Sequence, residues 1–543
     1  RLDQFIPKEL LAKLRSAQSS SMEGERRVVT MLFCDVKGST AAASQLDPED
    51  WAEIINGAFE HMIQPVYQYE GTVARLMGDG LLAFFGAPIA HEDDPQRAIL
   101  AGLGIVEAIK RYRTQIRQRW GFDLDVRVGI NTGLVVVGAV GSDLRMEYTA
   151  LGDAINLAAR MEQTAQTGTV QIAEATHKLV APLFDFETLH DIEVKGRSEP
   201  VTAYRVLGSR ALSGRPGSLR GIAGLRSPLV ARDLELTTLL EATSELTAGR
   251  GRIVSIMGEA GLGKSRLVAE LRDFLAGAPQ YASMQWIEGR SLSYETSTPY
   301  APFIGMLAAC LAIDPAGRSS IERGGAADTQ KYGQISTRLE ALFPGRGNEV
   351  APFLATMLGI RLPDDQAERV KYLDPPTLRA MTFSHIAAFF ERLAAEQPLV
   401  LFFDDVHWID PTSLDLLVSL LPLTDRAPLL IIAAFRPREQ EPAWRLHETA
   451  QRDFGQGYTA LVLRPLDPDQ SRELVANLLH VEDLPEKVRR LILEKAEGNP
   501  FFVEEVIRSL LDAQLVVRDN GHWRATREIV NICLLYTSDA ADE

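Results

Sequence analysis

Residues 28–40, VVTMLFCDVKGST, carry an apolar, β-rich run into a single acid, Asp35, and then into a glycine turn. A second stretch, ARLMGDGLLAFFG at 74–86, places Asp79 just ahead of another such run. Neither run alternates cleanly, and both are rich in strand formers, so they predict buried strands that bring two carboxylates to one edge of a sheet. Hard divalent cations such as Mg²⁺ take oxygen ligands of this kind beside phosphates. Two ions there could activate an attacking oxygen and neutralise a leaving one. A lone Asp after a strand is more often a turn or helix cap, so the reading depends on what else the chain carries.

Further motifs follow in order: DVRVGINTG at 125–133, YTALGDAINLAARM at 148–161 and EVKGRSEP at 193–200. In the second, Asn156 and Arg160 are four residues apart and on a helix would share a face. Together these segments resemble the class III nucleotide cyclases, the adenylyl and guanylyl cyclase family, over roughly residues 26–208. The resemblance implies a ferredoxin-like α+β domain that binds two Mg²⁺ or Mn²⁺ ions through Asp35, Asp79 and the Val36 carbonyl. It implies a phosphate-cradling turn at Gly38, Ser39 and Thr40, and triphosphate-binding cations in Arg127 and Lys195, whose charges suit phosphate oxygens. Asn156 and Arg160 match the family's transition-state pair, the first orienting ribose and the second meeting charge that develops on the α-phosphate. Because that family assembles each site from two subunits, the resemblance implies a homodimer with two equivalent sites.

Base choice is where the chain departs from the family pattern. The position usually held by an adenine-reading lysine is Arg75, and its companion is Thr149, as in a bacterial subgroup of adenylyl cyclases. Thr149 favours ATP, while Arg75 is a different donor from lysine. Adenylyl cyclase activity is therefore the leading expectation. A guanylyl cyclase, or a weak or silent cyclase fold that serves as a dimerisation module, stays open.

A second nucleotide site is expected downstream. GRGRIVSIMGEAGLGKSRLVAEL at 249–271 sets a strand, the G-x-x-x-x-G-K-S loop and a helix in the order that a phosphate-binding loop requires. Gly258, Gly261 and Gly263 would let backbone amides approach the phosphates, Lys264 would reach the β and γ groups, and Ser265 would bind one Mg²⁺. In QPLVLFFDDVHWIDPTSLDLL, at 397–417, a buried strand would deliver Asp404 and Asp405 at its end, the first for metal and the second for water. The next strand, PLLIIAAFRP, ends in Arg436, a candidate γ-phosphate sensor. With the lid-like KAEGNPFFVEEVIRSL at 495–510, these segments resemble the signal-transducing branch of the AAA+ ATPases, which bacterial regulators join to class III cyclases.

The expected organisation is an α/β multidomain chain. It has a helical lead-in at 1–25, the cyclase domain at 26–208, a flexible linker at 209–228, the ATPase at 229–436 and a helical lid or winged-helix-like region at 437–530. The segment 299–374 matches nothing assignable. Cys533–Glu543 reads as a non-native tail, so the chain is expected to be cut at both ends. A net charge of −16 argues against nonspecific nucleic-acid binding. Cys34, Cys310 and Cys533 have no paired spacing, which fits a cytoplasmic protein without a disulfide framework. No apolar run is long enough to span a bilayer. The acidic HEDD at 91–94 reads as a solvated helix start rather than a metal site. The activating ligand or protein partner is not written in the sequence.

Overall fold

The computed structural model describes residues 25–39, 46–87, 91, 93–142, 145–151, 153–192, 201–210, 228–296, 298–313, 325–479, 486–512, 516–519 and 522–525. The expected lead-in helix, most of the linker and the Cys533–Glu543 tail lie outside them. Two compact units divide at position 212.

In the first unit the elements run β1 (Glu25–Lys37), α1 (Pro48–Gln68), β2 (Thr72–Met77), β3 (Gly80–Phe85), α2 (Asp94–Trp120), β4 (Asp125–Ser142), β5 (Arg145–Leu151), α3 (Asp153–Thr164), β6 (Val170–Ala173), α4 (Glu174–Val180), β7 (Phe184–Ile192) and β8 (Val201–Ser209). The sheet order is β2-β3-β1-β4-β6-β8-β7, with β5 paired to β4. Strand β1 is central and covered on both faces, which explains its poor alternation. Val29 and Met31 join Ala158 of α3 in one core cluster. On the other face the Cys34 thiol donates to Met62 Sδ of α1 at 3.4 Å. A buried hydroxyl relay, Thr30 to Thr132 at 2.9 Å and Thr132 to Thr176 at 3.0 Å, ties β1 through β4 to α4.

The second unit begins with α5 (Asp233–Thr247), β9 (Arg252–Met257), α6 (Lys264–Gly277) and β10 (Gln285–Arg290). Among the described residues five α-helices follow: α7 (Ala301–Leu311), α8 (Gly325–Leu342), α9 (Gly347–Met357), α10 (Asp364–Lys371) and α11 (Pro375–Glu396). The chain then returns as β11 (Leu399–Asp404), α12 (Pro411–Leu420), β12 (Leu429–Phe435), α13 (Trp444–Asp453) and β13 (Tyr458–Val462). The previously unassigned 299–374 is thus part of a helical insertion between two strands that are sheet neighbours. The sheet is parallel, in the order β10-β11-β12-β9-β13. Every residue of β11 and β12 is buried, as expected of strands covered on both faces. Because β13 pairs with β9, the ATPase sheet extends past the boundary expected at 436. The chain continues as α14 (Pro468–Leu479), α15 (Glu486–Ala496), α16 (Pro500–Asp512) and a hairpin of β14 (Val516–Asp519) with β15 (His522–Ala525).

Candidate active sites

Asp35 sits where three strands meet, paired in register with Gly80 of β3 on one side and Arg127 of β4 on the other. Asp79 follows Gly78 in the two-residue turn between β2 and β3, closed by the Met77–Gly80 pair. Gly78 takes φ +63°, the left-handed region that favours glycine. Val36 lies one residue beyond the last β1–β3 pair. Two carboxylates and that carbonyl make a hard-oxygen donor set that fits Mg²⁺ or Mn²⁺. Among the described residues no group of three or more His, Cys, Asp or Glu side chains could hold a metal alone. The phosphates of a nucleotide would have to complete the shell.

Arg127 lies between the acids. Its Nη2 donates to Asp35 Oδ2 at 3.0 Å and stands 2.8 Å from Glu162 Oε1, while Nη1 donates to the Gln163 carbonyl at 2.9 Å. Glu162 was not foreseen. Burial pushes its carboxyl up to about 7; Arg127 pulls it down, and Asp35 and, more weakly, Asp79 raise it. Asp35 and Glu162 therefore flank one guanidinium.

Glu162 belongs to α3, which also carries Asn156 and Arg160. This helix packs closely on β4 because the strand offers glycine where the helix crosses. A Cβ on Gly129 would overlap the backbone of Glu162, and one on Gly133 would lie 2.6 Å from Ala154 Cβ. Ala158 and Met161 are buried, Asn156 is exposed, and Arg160 is half-buried and donates to Gln163 Oε1 at 2.5 Å. At 100° per residue, Arg160 lies about 160° round the helix from Glu162 and Asn156 about 120°. The pair therefore points away from its own Asp35.

Gly38 takes φ +91° at the end of β1, and Ser39 follows it. Arg75 is exposed on β2, beside a register shift at Val73/Arg75. Thr149 is on β5, opposite Gly138 of β4. Thr40 and Lys195 lie outside the described residues. The HEDD segment corrects an expectation. It does start α2, but its described residues are not solvated: Asp94 is buried, and so is Arg97 one turn on. His91 contacts Glu70 and Asp94 at 3.2 Å each, and Arg97 binds Glu70 at 2.8 Å and Asp93 at 2.6 Å.

In the second unit, the loop from Gly258 runs from β9 into α6, with Gly261 and Gly263 at φ +80° and +88°. Lys264 is buried and folded back, its Nζ donating to the carbonyls of Gly258 at 2.8 Å and Glu259 at 3.0 Å. Ser265 Oγ donates to both oxygens of Asp404 at 3.0 Å. A hydroxyl beside a strand-end carboxylate fits one Mg²⁺. Burial, then the neighbouring Asp405, pushes the Asp404 carboxyl up to about 7, against the pull of Arg290, Ser265 and Lys264.

Several residues here escaped the sequence reading. Arg290, at the end of β10, donates through Nη2 to Asp405 Oδ2 at 3.2 Å. His407 has both ring nitrogens shielded without a hydrogen-bond partner, and burial lowers its pKa to about 4. Arg436, which the sequence reading did single out, follows β12, with its guanidinium carbon 5.8 Å from the centroid of the Trp408 ring. Asn499, in the turn before α16, donates to the Ala260 carbonyl at 2.9 Å and so pins the lid to the loop. A cavity of about 300 Å³ lies beside that contact, lined in part by Gly258, Leu262, Leu463 and Phe502.

Three family models match the chain. Residues 22–208 match the family described as Adenylate and Guanylate cyclase catalytic domain, and residues 228–432 match the AAA ATPase domain. Residues 467–524 match a domain of unknown function. An uncharacterized protein of Rhizobium meliloti is 29% identical over 505 residues, 91% of this chain and 45% of its own length. Adenylate cyclase 1 of the same organism is 30% identical over 38% of this chain and 31% of its own length. The chain thus spans less than half of either relative. Among solved structures, the adenylyl cyclase CyaB from P. aeruginosa shares 33% identity over 35% of this chain and 98% of that one, with a TM-score of 0.34. The guanylyl cyclase Cya2 shares 32% over 36% and 98%, also at 0.34. The chain therefore joins a class III nucleotide cyclase catalytic domain to an AAA ATPase domain.

Proposed function

We propose that the cyclase domain converts ATP to cyclic AMP and pyrophosphate as a homodimer, and that the AAA ATPase domain binds and hydrolyses ATP as a switch on that activity. The observation that carries the dimer is the division of α3: Glu162 faces the chain's own Asp35 and Arg127, while Asn156 and Arg160 face away from them. One subunit would supply Asp35, Asp79, Arg127 and Lys195, and its partner would supply the transition-state pair.

In this reading the ribose 3′ oxygen loses its proton and attacks the α-phosphorus, and the bond to the β-phosphate oxygen breaks to release pyrophosphate. Divalent cations held by Asp35 and Asp79 would supply Lewis-acid activation and charge neutralisation. The turn at Gly38 offers backbone amides to phosphate. Arg127 offers a planar guanidinium to the triphosphate. The partner's Asn156 orients the ribose, and the partner's Arg160 meets the charge that grows on the α-phosphate, a role whose loss typically costs about 10²–10³ in rate. Arg75 and Thr149 read the base. The relatives named as adenylate cyclases support adenine, and a GTP arm belongs in any assay because guanylyl cyclases are also similar. In the ATPase domain, Lys264 would bind the β and γ phosphates, Ser265 and Asp404 the cation, and Asp405 the attacking water, with Arg436 sensing the γ-phosphate.

Mixing Asp35→Ala with Arg160→Ala tests the composite site. Each variant alone should be nearly inactive. Random reassortment leaves half the dimers mixed, each with one intact site, so activity should return to about a quarter of wild type. No recovery from dimers shown to exchange subunits would remove the composite site. No cyclic nucleotide from folded wild type with either ATP or GTP would leave the domain as a silent dimerisation module.

A further inference from the structure

Arg127 has two incompatible duties in the proposed reaction. Its Nη2 is bound to Asp35 Oδ2 at 3.0 Å, yet Asp35 must present that carboxylate to a divalent cation. An arginine displaced from its carboxylate needs another counter-charge, because an unpaired buried cation is strongly disfavoured. Only 13% of the Arg127 side chain is exposed, and 10% of Glu162. The second counter-charge is already present, with Glu162 Oε1 2.8 Å from the same Nη2. That contact is an ion pair and not an aligned hydrogen bond. Glu162 Oε1 and Arg127 Nε are both buried without a hydrogen-bond partner. Each therefore holds unused bonding capacity that a small rotation of the guanidinium toward Glu162 would satisfy. The Gln163 carbonyl, on the same helical turn, anchors Nη1 and would act as the pivot.

We propose that Glu162 is a positioning residue for Arg127: it holds the guanidinium when a divalent cation takes Asp35 away from it. The proposal rests on the reading of Asp35 as a cation ligand. It assigns Glu162 no contact with substrate or metal, and explains why an acid sits on the packed face of a helix whose other residues there are apolar.

The test is Mn²⁺ binding to the full-length chain in the presence of a non-cyclisable ATP analogue, with free Mn²⁺ read by electron paramagnetic resonance and Lys264→Ala as the background, so that the P-loop site does not contribute. Glu162→Gln keeps the shape but removes the charge. It should raise the half-saturating Mn²⁺ concentration at least about tenfold, the low end of what a hydrogen bond to a charged group contributes. Glu162→Asp keeps the charge and should stay within about threefold of wild type. It also keeps the proposal testable if the Gln variant fails to fold. A purely structural role would lower the melting temperature of both variants and leave half-saturation unchanged. Unchanged Mn²⁺ affinity in Glu162→Gln, or equal impairment in Glu162→Asp, overturns the proposal. If Asp35→Ala binds Mn²⁺ as well as its parent does, the underlying cation assignment fails and the proposal falls with it.

Discussion

Replacing Gly129 with alanine probes the packing that places α3. A Cβ there would sit 2.5 Å from both Glu162 Cα and Met161 C, and all of these atoms are backbone, so no side chain can swing aside. Ordinary carbon contacts are about 3.5–4.0 Å, which requires the helix to lift by at least about 1 Å. Overpacking of this kind costs about 3 kcal/mol at its upper end, which lowers the melting temperature of a domain this size by about 6–12 °C. The same lift moves Arg160 and Glu162 together, and a 1 Å error at a catalytic group typically costs about 10² in rate. Differential scanning fluorimetry and a cyclic-nucleotide assay on Gly129→Ala measure both effects. A melting point within 2–3 °C of wild type (roughly 1 kcal/mol), with turnover within about threefold, would refute the idea that close packing at Gly129 sets the site.

Two further outcomes are expected. Burial works against protonation of His91, but its hydrogen bonds to Asp94 and Glu70 outweigh that burial and the charge of Arg97, so its pKa is raised in the fold. The stability it contributes is fully present below its unfolded pKa of about 6.5 and is lost as pH rises through the higher folded value. Melting curves of wild type and His91→Gln across about pH 6 to 8 should converge at the alkaline end; parallel curves would contradict this. In the ATPase domain, Lys264→Ala should abolish ATP hydrolysis and change the cyclase rate at saturating ATP. An unchanged cyclase rate would remove the switch while leaving the cyclase itself intact.

The placement of the motif acids at strand ends was legible because short, local patterns mark it. Asp35 and Asp79 each adjoin a strand-like run, and Lys264, Ser265 and Asp404 fall within motifs that state their own context. What escaped depends on partners distant in sequence. Glu162 reads as an ordinary helix-surface acid, yet Ala158 and Met161 on the helix and Ala165 just past its end are all buried, and that apolar spacing could have flagged it. HEDD was mistaken for a solvated start because Glu70, its counterpart, precedes it by a whole strand pair. Asn499 bonds Ala260 across 239 positions, which no local pattern can reveal. Two ATPase strands were missed for a different reason: β10 and β13, six and five residues long, sit at the two edges of the sheet.

The arginine locks have a consequence for the order of events. Asp35 is bound by Arg127, Asp405 by Arg290 and Asp404 by the Ser265 hydroxyl, so each of these three acids already has a partner. A bare cation that arrives first would have to evict that partner and, at Asp35, leave Arg127 with Glu162 as its one counter-charge. A cation that arrives already chelated by nucleotide brings phosphates that the evicted arginine can take in exchange. Under the proposed function both centres would thereby be biased toward capturing the metal–nucleotide complex as one ligand, and sequestration of free divalent ions by the protein without nucleotide would be disfavoured.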